Sequence, residues 1–95
     1  MSISKSQERL LPYIRAEVDT WSKEKRIAMA VILRHGGDGT KGAAQIIIGE
    51  EIESLGNGPL VNMRRTATAL GTLSAVLDGV GGVAFKEAVI RILEE

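Results

Sequence analysis

The chain contains no cysteine, and that absence excludes disulfides, thiolate nucleophiles and Cys-ligated zinc or iron–sulfur centres. Its one histidine, His35, is too little for a His-based metal cage, and spacing supports no Ser-His-Asp arrangement around it. Aromatic residues make up 3% of the sequence, as Tyr13, Trp21 and Phe85, so any core must be aliphatic, which suits packed helices. Net charge is lacking too. Twelve basic and twelve acidic residues cancel, leaving no global field to draw the chain onto nucleic acid or an anionic membrane. No apolar run approaches the roughly 20 residues needed to cross a bilayer, and Met1 to Gln7 is polar rather than signal-like. These absences predict a cytoplasmic protein with no membrane partner, no metal and no cofactor.

What the sequence does have is apolar residues, 44% of the chain, set at helical spacing. Leu10, Leu11, Ile14, Val18 and Trp21 recur at threes and fours, with Ser4 and Gln7 forming a capping box ahead of them. Pro12 lacks an N–H and is expected to kink that helix or to mark its true start. Ser22 can cap a second helix with a charged first turn and an apolar body, Ile27 to Leu33. A body apolar on every side also fits a buried strand; Ala28 and Ala30 favour helix. Asp38 or Thr40 can cap a third helix carrying Ala43, Ala44, Ile47, Ile48, Ile52 and Leu55, although the triplet Ile46-Ile47-Ile48 and two interior glycines argue against it. Gly56-Asn57-Gly58-Pro59 reads as a turn that places Pro at the start of a fourth helix, 59–77. Asp78 to Gly82 breaks the chain again before a final stripe of Phe85, Ala88, Val89, Ile92 and Leu93. Residues 1–95 are therefore expected to form a single all-α domain, a compact bundle of five helices.

Gly36-Gly37-Asp38-Gly39-Thr40 is the one stretch whose spacing suggests ligand chemistry, since three glycines in four positions let backbone N–H groups turn toward a single point. Within Ala30 to Ala44, AVILRHGGDGTKGAA, it resembles the strand, GGDG[TS] loop and helix of diacylglycerol kinases, NAD kinases and 6-phosphofructokinases. That resemblance covers about fifteen residues. It implies phosphate cradling by Gly36, Gly37 and Gly39, a polar or metal-linked role for Asp38, Thr40 lining the same loop, and a strand before it. A plain connection between two helices accounts for the same residues.

Two further features bear on partners. Asn62, Arg64 and Arg65 head the fourth helix after a turn, the order of a helix-turn-helix whose second helix could enter a major groove. Along the same helix Leu60, Met63, Ala67, Leu70 and Leu77 form an apolar seam, wider than a monomer's surface helix needs, which predicts a homodimer. With no convergent polar triad, the leading expectation is a small non-enzymatic regulatory, inhibitory or adaptor protein acting on a protein partner. A DNA-binding regulator is the second reading, and nucleotide or phosphate binding at 36–40 the third.

Overall fold

The computed structural model describes residues 3–36, 38–54 and 60–95, and these form five α-helices: α1 (Lys5–Val18), α2 (Lys23–His35), α3 (Asp38–Ser54), α4 (Leu60–Leu77) and α5 (Gly82–Glu94). No strand occurs among the described residues. The segment from Ile27 to Leu33 is thus helical, and the strand implied by the kinase-like loop is replaced by α2.

Several boundaries have a local cause. Ser4 Oγ accepts from the Gln7 backbone N–H at 3.1 Å while Gln7 Oε1 accepts from the Ser4 N–H at 2.9 Å, so the capping box forms and α1 starts ahead of Pro12. Pro12 lies inside α1 on an exposed face; it does not mark the helix start. Ser22 caps α2 by accepting from the Lys25 N–H at 3.2 Å. Gly36, at φ 63°, ends α2, in a conformation that an L side chain rarely adopts. Thr40 is not the acceptor cap of α3, because its hydroxyl donates backward to the Gly36 carbonyl at 2.8 Å and Asp38 is already helical. Gly37 and the turn at 56–59, together with Leu55, lie outside the described residues. Gly81, at φ 99°, starts α5 where an added Cβ would stand 2.9 Å from a Phe85 ring carbon.

The helices pack as a closed ring in the order α1, α4, α3, α2, α5, with a lighter contact between α4 and α5. Its interior is aliphatic: Ile14, Val18, Met29, Leu33, Ala44, Ile48, Leu70, Leu73, Val89, Ile90 and Leu93 are all buried. The Cα radius of gyration is 12.6 Å, close to the roughly 12 Å of a compact chain this long. Burial also explains α3. Ala44 and Ile48 are fixed against the core and Ile47 packs beside them, which outweighs the poor helix propensity of the isoleucine triplet and of Gly42 and Gly49.

Candidate functional site

The apolar side of α4 faces inward. Ala69, Leu70, Leu73 and Val76 are buried, Met63 and Leu77 are half-buried, and Ala67 is exposed. The seam read from the sequence is therefore divided: Leu70, 2% exposed, belongs to the core, whereas Ala67 is open to solvent. Leu60 and Asn62 fall in the first turn of α4 and their side chains lie outside the described residues. Arg64 and Arg65 are exposed.

What remains open on α4 is a strip of small residues that floors a groove of about 340 Å³. Ala67, Gly71 and Ala75 form the floor, and Leu10 of α1, Phe85 of α5 and Val80 of the α4–α5 turn stand around it. Val80 is 61% exposed at the rim. The two threonines here are less polar than their type suggests. Thr68 Oγ1 donates to the Arg64 carbonyl at 3.0 Å and Thr72 Oγ1 to the Thr68 carbonyl at 2.8 Å, so each donor is satisfied within α4. Gln7 Nε2 is similarly committed, donating to the Gly81 carbonyl at 2.8 Å. A Cβ built on Gly71 meets nothing within 4 Å, which leaves room for a helix to approach the α4 backbone closely.

A larger cleft, about 630 Å³, lies where the start of α2 meets the end of α5, beside Trp21, Lys23, Arg26 and Ile27. Its arginine is structural: Arg26 donates to the carbonyls of Ile92 at 2.8 Å and Leu93 at 3.3 Å in the last turn of α5.

Gly36 closes α2, while Asp38, Gly39 and Thr40 form the first turn of α3. His35 is the exposed last residue of α2. No group of three or more His, Asp or Glu able to hold a metal occurs among the described residues.

One polar cluster was not legible as such in the sequence. Glu17 of α1, 6% exposed, accepts from the Trp21 indole N–H at 3.1 Å, with the side chains of Thr66 in α4 and Glu51 in α3 beside it. Lys25 of α2 pairs with Glu51 at 2.5 Å and lies 5.7 Å from the centre of the Trp21 ring. Burial pushes the Glu17 carboxyl above the usual carboxylate range, repulsion from Glu51 adds to that, and the bonds from Trp21 and Thr66 oppose it. The cluster ties four helices together. Its signal was present: Glu17, Trp21 and Lys25 stand four apart, with Glu17 between Ile14 and Val18 on the apolar stripe. Glu50 and Glu53, which flank Glu51 in α3, are exposed.

No helix among the described residues is long and apolar enough to cross a membrane. Comparison with protein-family models, with curated proteins and with solved structures finds no match to this chain.

Proposed function

We propose that this protein is a non-enzymatic regulatory, inhibitory or adaptor protein that works by seating a polypeptide helix in the groove over α4. The groove floor carries the reading. Small residues let a helix backbone come close, the threonine hydroxyls are occupied within α4, and Leu10, Val80 and Phe85 give apolar contact around it. An exposed apolar surface bounded by polar residues is the usual mark of a protein interaction site. Selection of displayed helical peptides against the sparsely immobilised chain tests it. Enriched peptides should bind at micromolar Kd, lose that binding on Gly71→Trp, and keep it on Val31→Glu, a substitution on exposed α2. Failure to enrich any peptide, or peptides indifferent to Gly71→Trp, would sink the reading.

DNA binding through α4 is the second reading, favoured by the exposure of Arg64 and Arg65. Readout of further base pairs would draw on donors and acceptors along the same face. Beyond the arginines, the outer face of α4 offers Ala67, Gly71, Ala75 and two threonines already bonded to its own backbone.

A further inference from the structure

The outer face of α4 is symmetric about Gly71. Ala67 lies four residues before it and Ala75 four after; Arg64 lies seven before and Asp78 seven after. At 100° per residue these five positions fall on one narrow strip, and Asp78, whose backbone N–H still donates to the Ser74 carbonyl at 3.1 Å, continues the helical turn. Reversing the chain direction maps alanine onto alanine and arginine onto aspartate.

The charges point the same way. In α1 and α2 the first turn holds an acid, Glu8 or Glu24, and the last turn a base, as helix dipoles favour. In α4 the first turn holds no acid and the last turn no base; the arginines stand near its positive end and Asp78 just past its negative end. Those positions are unfavourable for α4 itself and favourable for an antiparallel neighbour. Arg64 makes no ion pair among the described residues, and the Asp78 side chain is 60% exposed, touching Lys41 only at 4.0 Å.

We propose that the helix seated on α4 is α4 of a second copy, antiparallel across a two-fold axis at Gly71, with Ala67 opposite Ala75 and Arg64 of each copy paired to Asp78 of the other. The proposal rests on reading the groove as the recognition surface and names its occupant. A crossing near 20° fits it, because at about 10 Å from the axis the two helices have then diverged by only about 4 Å, within reach of an arginine. A parallel pair would set Arg64 against Arg64 and Asp78 against Asp78. Charge therefore selects the antiparallel arrangement, and two-fold symmetry closes it at two copies.

Sedimentation equilibrium of the full chain, from micromolar to millimolar concentration at low salt, should give twice the monomer mass of 10.2 kDa. Gly71→Trp, or Ala67→Glu as an independent block on an exposed position, should give monomers with an unchanged far-ultraviolet spectrum. Arg64→Asp and Asp78→Arg, each alone, should raise the dimer Kd about tenfold, and mixing the two variants should restore wild-type affinity through the hybrid dimer. A monomer at every concentration, dimers that survive both blocks, growth beyond two copies, or charge variants that associate as wild type does would overturn the proposal. A chain that stays monomeric yet still binds peptides in the groove would defeat this inference alone.

Discussion

At the scale of single residues, Glu17 is the informative one. Its folded carboxyl holds a proton more tightly than the unfolded chain does, so its contribution to stability is full below the unfolded value, about 4.3, and is lost as pH rises through the higher folded value. Above that value the ionised carboxylate is buried beside Glu51, and Lys25 pairs with Glu51 rather than with it. Glu17→Gln keeps an acceptor for Trp21 and removes the charge. Thermal melts should show the variant more stable than wild type at pH 7, with the gap closing as pH falls toward 4. A variant less stable at pH 7 would show that the charged hydrogen bonds from Trp21 and Thr66 outweigh desolvation. Trp21 itself is buried where α1 gives way to α2, which explains how a chain with so few aromatic rings can hold this corner firmly.

At the scale of elements, α1 carries a local conflict. Its capping box and its stripe through Ile14 and Val18 are well matched to a helix, but Pro12 removes a donor from its middle and leaves the Glu8 carbonyl without its usual partner. Tertiary packing against α4 and α5 holds α1 together across that break. Because Pro12 is exposed, Pro12→Ala should stabilise the fold by about 2 kcal/mol, a rise in melting temperature on the order of 10 °C. A fall in melting temperature would instead mean that the ring contributes packing that its exposure conceals. In α3 the conflict runs the other way: Ile46 is 64% exposed, a β-branched side chain on a solvent face, kept helical by its buried neighbours Ala44 and Ile48.

At the scale of the whole molecule, the cancellation of charge sets what the surface can attract. Several basic groups are also engaged within the fold, Arg15 with Glu95 and Arg34 with Glu94 among them. A protein that neutralises several phosphates needs a clustered excess of cations, and its affinity falls steeply with salt. Gel retardation with duplex DNA at physiological salt should therefore show no complex. A salt-sensitive complex lost on joint Arg64→Ala and Arg65→Ala would favour the nucleic-acid reading over the groove. The closed ring of helices bears on the same question, since it turns Leu70, Leu73 and Val76 of α4 inward and leaves Ala67 and Gly71 outside.

The all-α class, the number of helices and the capped starts of α1 and α2 were legible in the sequence, because apolar spacing and capping chemistry are local. Residues 27–33 needed the tertiary structure: a segment apolar on all sides fits a buried helix or a buried strand equally until its neighbours are known. At 36–40 the tertiary structure places a helix, α2, where the kinase-like resemblance implies a strand, and Gly36 ends that helix. On α4 the sequence marked an apolar seam, but which side faces the core depends on where α1 and α3 lie. Leu70 went inward and Gly71 outward because the ring packs around the larger side chains, burying more apolar surface than any arrangement centred on Gly71 could. The surroundings of Glu17 were hidden for the same reason, since Glu51 and Thr66 come beside it only after α1, α3 and α4 have packed.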